Sequence, residues 1–354
     1  MSSEEHRAGE SLGVRAEPTG NREFRRATVR GAALLFGTLV LATAFIAAYA
    51  GALHKPTPRD VPVGVVRDDR AARELTDTVV TRTDQITTFQ YADRAAADAA
   101  LTDRAVYAVL TSNPPDGTPG FTLTTASAAG PIAADLVDQV IGTAAQRAQL
   151  PLTVTDRVPV SPDDPRGLVP FYLAIGLVLG GYLGSAVLGI SIGTTPATTR
   201  RAGLRVAAFA GYAALLGLAG ALVTGPLLGV WQTRFASVFA ANVLIVFAAA
   251  TAAAAVQAWL GLLGTGLVIL LLVVIGNPGS GGIYPPEFLP GFFAGMHRWN
   301  LPGLATDLIK SVAYFQPRAA GWPLVWLAVW ALVGLLALFA ATVLSRRRAD
   351  RRVR

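Results

Sequence analysis

Hydrophobic and polar positions alternate along this chain on two scales: long apolar runs, and one polar block with short-period patterning. A polar, mixed-charge stretch (1–30) ends in Arg22, Arg25, Arg26 and Arg30, and an apolar run over Gly31–Ala50 follows. A helix rises about 1.5 Å per residue, so about 20 apolar residues cover the roughly 30 Å hydrocarbon core of a bilayer. A first transmembrane helix is therefore expected at 31–51. Arg25-Arg26 and Ala48-Tyr49-Ala50 imitate a twin-arginine signal with a small-residue cleavage site, but cleavable apolar regions are shorter, so this helix is expected to be retained. Residues 1–30 read as a cytoplasmic tail, with Asn21–Arg30 able to form a helix on the inner membrane surface.

Over 52–166 the pattern becomes that of a water-exposed domain. Val61–Val66, Ile86–Tyr91, Val106–Leu110, Phe121–Thr125 and Leu152–Val160 read as strands. Between them, Arg70–Thr81, Arg94–Leu101 (with Asp93 as its cap) and Pro131–Gln149 read as helices. Strands alternating with helices predict one compact α/β domain. Asp68 and Asp69 are adjacent, so on a strand they point to opposite faces, and they read as solvated turn residues.

Beyond residue 166 the apolar runs return at Leu168–Ile192, Val206–Val230, Val238–Trp259, Leu260–Ile275 and Trp322–Leu344. No charged side chain lies between Arg234 and Glu287. The run Asn277-Pro278-Gly279-Ser280-Gly281-Gly282, continuing to Pro286-Glu287-Phe288-Leu289-Pro290, is too rich in Pro and Gly for a regular helix, so the chain must break there. The fold class expected is a polytopic α-helical membrane protein: six transmembrane helices with an extracytoplasmic α/β domain between helices 1 and 2. Residues 167–345 form a five-helix membrane domain with an external Pro/Gly-rich segment at 276–321, and 346–354 a basic cytoplasmic tail.

Composition agrees: 52% of the 354 residues are hydrophobic and 15% charged. Cysteine is absent, which excludes disulfides, thiolate metal sites and a cysteine nucleophile. His6, His54 and His297 are far apart and read as unrelated surface residues, so no metal site is expected. The net charge of +7 comes from arginines flanking apolar runs, whereas the polar block is acidic; nucleic-acid binding, which needs a basic patch on a folded domain, is not indicated. Placing Arg25, Arg26, Arg200, Arg201 and the terminal Arg346-Arg347-Arg348 on one side requires an even number of crossings, which puts both termini in the cytoplasm and 52–166 outside. The excess of Arg over Lys, with abundant Ala and Gly, hints at a GC-rich bacterial source and so at a bacterial cytoplasmic membrane.

Little catalytic chemistry is legible. The glycines of 276–282 lack the Lys and Ser/Thr of a phosphate-binding loop, and neither a nucleophile elbow nor a zinc-binding helix motif occurs. No enzymatic role and no cofactor are indicated. The expected spans carry no ionisable residue in their interiors, which weighs against an ion-coupled carrier. Gly176, Gly180 and Gly184 recur at four-residue spacing, with Gly181, Ser185 and Gly189 beside them; such columns let another helix approach closely, within the chain or across a subunit interface.

The order of one span, an external α/β domain and five spans with the Asn277–Gly282 and Pro286–Pro290 motifs resembles the ABC type-2 permease superfamily. Within it, Val61-Pro62-Val63-Gly64-Val65-Val66-Arg67-Asp68-Asp69 and the run from Leu301-Pro302-Gly303 to Val312-Ala313-Tyr314-Phe315 are similar to the YhgE/Pip (phage infection protein) branch. The resemblance implies a homodimer that pairs with a separate cytoplasmic ATPase and exports lipids, polysaccharides, drugs or peptides. It makes the loop with Arg200, Arg201 and Arg205 the candidate ATPase-coupling element, and Asn277, Pro278, Ser280, Gly281, Gly282, Pro286, Leu289 and Pro290 an external motif near the outer mouth. That branch also implies an alternative: a non-transporting membrane scaffold or receptor whose external domain binds a partner.

Overall fold

The computed structural model describes residues 19–113 and 118–353, so the tail expectation for 1–18, with His6, lies outside the described residues. The chain divides into two compact units, 1–44 and 45–354. Helix α1 (Thr19–Leu53), which includes the end of the first unit and the start of the second, runs without a break from the basic stretch into the apolar one, so Arg25, Arg26 and Arg30 extend the same helix rather than forming a separate one. The second unit holds the α/β domain and the remaining helices.

The α/β domain follows its pattern closely. Strands β1 (Val61–Val66), β2 (Ile86–Tyr91), β3 (Ala108–Ser112), β4 (Phe121–Thr125) and β5 (Leu152–Asp156) form one sheet in the order β2-β1-β3-β4-β5. All neighbours are parallel except β3 and β4. Helices α2 (Arg70–Val80) and α4 (Pro131–Arg147) share a core with Val61, Val63, Val65 and Leu110, while α3 (Arg94–Thr102) packs with Val109 on the other face, as the two-residue period of a strand requires. Asp93 accepts from Ala96 N and caps α3. Asp69 is no solvated turn residue: its carboxylate accepts from Ala72 N, capping α2, and from Ser112 N on β3.

Five helices are long and apolar enough to cross a membrane among the described residues: Phe24–Leu53, Val169–Ile192, Thr199–Leu227, Gln232–Leu260 and Pro317–Arg348. The expected sixth, Leu260–Ile275, is instead a shorter apolar helix, Leu263–Ile275. Gly261, at φ 58°, ends helix α7 (Phe235–Leu260) and turns the chain into α8 (Leu262–Val268), which widens into a π-helical turn over Ile269–Ile275 before Pro278 stops it. At about 1.5 Å per residue this helix is well short of a bilayer core. The chain then makes two 3₁₀ turns, Pro278–Ser280 and Pro286–Phe288, a short helix α9 (Gly291–His297) and helix α10 (Leu301–Tyr314).

The bundle is built on α7, against which α5 (Val169–Ile192), α6 (Thr199–Leu222) and α11 (Gly321–Val353) pack. Its apolar core is dense in alanine: Ala248, Ala249 and Ala253 of α7 are fully buried. Between α5 and α6 the expected loop is shorter than the polar pattern suggests. Thr198 accepts from Arg201 N and starts α6 at Thr199, so Arg200, Arg201 and Arg205 lie on the first turns of a helix and not in a loop.

Candidate functional site

Helix α10 gathers ionisable groups where the helices of this unit meet the α/β domain. Asn300 caps it by accepting from Gly303 N, and Pro302 suits its first turn. Leu301, Leu304, Leu308 and Ile309 belong to the bundle core. The face with Asp307, Lys310, Ser311 and Tyr314 meets the α/β domain, because positions three and four apart share one side of a helix.

Asp307 is the hub. One carboxylate oxygen accepts from Arg104 Nη2 at 2.7 Å and the other lies 2.9 Å from His297 Nε2. Arg104 also donates from Nη1 to Asp307 O at 3.1 Å and to Ser311 Oγ at 3.0 Å, and its guanidinium lies 5.7 Å from the Phe315 ring centre. Its backbone sits at φ 63°, a left-handed conformation that costs a residue with a Cβ and that the turn after α3 imposes. Burial alone would raise the Asp307 carboxyl, but the Arg104 guanidinium and the hydrogen-bonded His297 ring hold it well below the usual carboxylate range.

Around this hub the α/β domain is fastened at further points. Tyr107 donates to Glu287 at 3.0 Å, and burial together with the Glu287 charge pushes its phenol well up. Thr57 N and Arg59 N donate to Phe288 O and Glu287 O, so the approach to β1 runs along the Pro/Gly segment. Phe288 enters the core shared by α2 and α4, and Phe315 the core beside α3. Asp164 accepts from Leu168 N and Val169 N and starts α5; burial pushes its carboxyl up.

Lys310 is 4% exposed and, among the described residues, makes no ion pair within 4 Å, although Asp307, Glu287 and Asp164 act on it from further away. Its ammonium donates to Ala129 O at 3.2 Å and Gly281 O at 3.4 Å, and burial pushes its pKa down to about 8. It separates two cavities. One, of about 500 Å³, is lined by Arg104, Tyr107, Glu287, Arg298 and Trp322 among others; the second, of about 290 Å³, lies towards Pro131, Arg166 and Tyr284.

The Pro/Gly motif comes to this cluster. Asn277, Pro278, Ser280, Gly281 and Gly282 are buried, Leu289 is buried, Pro286 lines the larger cavity and Pro290 is exposed. Non-helical backbone in a membrane domain is tolerable where protein covers it, as here. Gly281 has φ 68°, and a Cβ there would stand 2.6 Å from the His297 ring; no other residue fits. Arg200, Arg201 and Arg205 are not brought to the cluster: Arg200 and Arg201 are exposed, and Arg205 is buried with its guanidinium donating to Gly193 O and Thr194 O, closing the end of α5.

Gly180 and Gly184 meet Leu216 and Tyr212 of α6, and Gly181 meets Val246 and Ala249 of α7, so these glycines serve packing within the chain. Gly176 faces open space in an apolar groove between α5 and α6.

Arg104, His297, Asp307 and Lys310 escape the sequence reading, and His297 is a buried hub residue rather than a surface one. The signal that could have found them is Asp307 and Lys310 three apart in the otherwise apolar run Leu301–Tyr314. No family model, no curated protein and no solved structure matches the chain.

Proposed function

We propose that this protein is a permease-like subunit of an ABC type-2 exporter, a dimer in a bacterial cytoplasmic membrane driven by a separate cytoplasmic ATPase. In this reading the short helix Leu263–Ile275 completes a sixth crossing together with the buried segment after it, both termini are cytoplasmic, and the α/β domain is outside. The observation that carries the reading is the ionic junction: Arg104, Asp307 and Lys310 tie the α/β domain to α10, which packs on α5, α7 and α11. A shift of those helices would be passed to the external domain through charged groups. Uphill movement would require a partner to supply energy, and the exposed Arg200 and Arg201 at the start of α6 are the surface on which an ATPase would push.

Purification of the full chain from its native membrane in mild detergent, with identification of what accompanies it, tests the reading. An ATPase is expected, and Arg200→Ala with Arg201→Ala should remove it. If none co-purifies and nucleotide has no effect, the alternative gains: a non-transporting scaffold or receptor. The groove of about 540 Å³ between α2 and α4, rimmed by Arg82 and Arg147, favours that alternative.

A further inference from the structure

On the face of the sheet away from α3, helices α2 and α4 leave a groove of about 540 Å³ between them. Leu75 and Val79 of α2 with Leu136, Val140 and Ala144 of α4 make its floor apolar and continuous with the core of the α/β domain. Small-molecule sites hold roughly 300–1,000 Å³ and combine apolar walls with a few placed polar groups. In this groove the charged groups stand where the two helices finish.

Arg82 follows the last turn of α2, and Arg147 is the last residue of α4; both are exposed and both line the groove. Neither makes an ion pair among the described residues. No carboxylate lines the groove: Asp77, Asp84 and Asp138, the acids nearest in the chain, are not part of its wall. A cation at a helix C-terminus also answers the helix dipole, which accounts for one arginine at each helix end. It does not account for both lining one trough whose floor is apolar and whose wall is free of acid.

We propose that this groove binds a single-chain amphiphile headed by a phosphate monoester, its tail along Val79, Leu136 and Val140 and its head bonded to Arg82 and Arg147. Charge selects the head: a phosphate monoester carries about −1.5 to −2 near pH 7, which two guanidinium groups balance, whereas a carboxylate carries about −1. Arginine also meets phosphate oxygens through parallel charge-assisted bonds. Size selects the tail, because a helix about 10 Å across that filled this volume would be little more than one turn long. This gives a ligand class to the groove that favours the receptor alternative. Binding is read without ATPase or nucleotide, so its failure is separate from that of the pull-down.

The test uses the full-length protein in phosphatidylcholine nanodiscs and a dodecyl phosphate probe with a photoreactive group on its chain, the labelled peptides being mapped by mass spectrometry. Saturable labelling is expected within 75–85 and 136–148, while labelling of the apolar spans reports probe dissolved in the bilayer and serves as the reference. Arg82→Gln with Arg147→Gln should lower groove labelling relative to the spans about tenfold or more, the loss expected when charge-assisted bonds to the head go. Should that variant fail to fold, the wild type decides: the dodecanol analogue of the probe should label the groove about tenfold less than the phosphate does, and the dodecanoate analogue should fall between them. Equal labelling by the alcohol or the carboxylate, or labelling unchanged in the folded variant, overturns the proposal. A groove unlabelled by every probe also overturns it, and if light scattering shows such a protein to be dimeric, the trough is assigned to a second copy.

Discussion

Midway along the bundle, α7 meets its neighbours through alanine and glycine, and its buried polar groups are neutral. Ser185 donates to Gln257 at 2.8 Å, Asn242 to Gly217 O at 3.1 Å, and Thr251 to the backbone of its own helix. At the end that carries the α/β domain, α10 meets that domain through Arg104, His297, Asp307 and Lys310. The difference follows from what each region can offer a polar atom. Helices surrounded by lipid satisfy their own backbone and gain most from close approach, so small residues and single neutral bonds suffice. The junction brings together turns and segments outside the helix and sheet ladders, where the carbonyls of Ala129 and Gly281 hold the Lys310 ammonium and the side chains of Arg104 and His297 hold Asp307.

The contrast predicts unequal sensitivity. The largest effect is expected at the hub: Asp307→Asn leaves Arg104 and His297 without their shared carboxylate and should cost about 3 kcal/mol, as breaking a buried pair does. Thermal unfolding of the purified full chain measures it, and a loss of under a third of that would show the junction to be solvent-screened.

In the bundle, Gly180→Leu forces a side chain into Leu216 and Tyr212 and should destabilise by about 1–3 kcal/mol, the range for overpacking. Gly176→Leu meets nothing within 4 Å and should leave stability unchanged. Size-exclusion chromatography with light scattering separates packing from assembly: a change of oligomeric state in Gly176→Leu with stability intact would mark that groove as a subunit contact.

The smallest effect is in pH dependence. Lys310 faces Arg104, Asp307, Glu287 and Asp164, and burial dominates, giving a folded-state pKa of about 8. Below about pH 8 both folded and unfolded chains hold the proton, and the cost of the buried charge is fully present. As pH rises from there towards the ordinary lysine value, only the unfolded chain keeps it, so stability should rise over that window. Asp307, held low, contributes no change there and loses its stabilising charge only in strong acid. Unfolding temperatures from pH 7 to 10 should show the rise in the wild type and not in Lys310→Gln.

The elements of the α/β domain were legible because each carries its own local signal. Ile86–Tyr91 reads identically in sequence and structure, and Asp93, Pro131 and the valines of β1 mark their elements by capping and period. Long-range pairings left no such mark. Asp69 reads as a solvated turn from its neighbours, and its second partner, Ser112, is 43 residues away. The arginines on the first turns of α6 read as a loop because they interrupt the apolar run, whereas Thr198 sets the helix start before them.

Hydropathy by itself determined that the chain carries helices apolar enough for a membrane, where five of the long ones lie and where the chain must break, because burial of apolar surface and backbone hydrogen bonding are local and periodic. Which charges meet was settled only in three dimensions. Arg104 and Asp307 lie 203 residues apart and come together because Phe288 and Phe315, from the segment between α8 and α11, complete the cores of a domain encoded long before them.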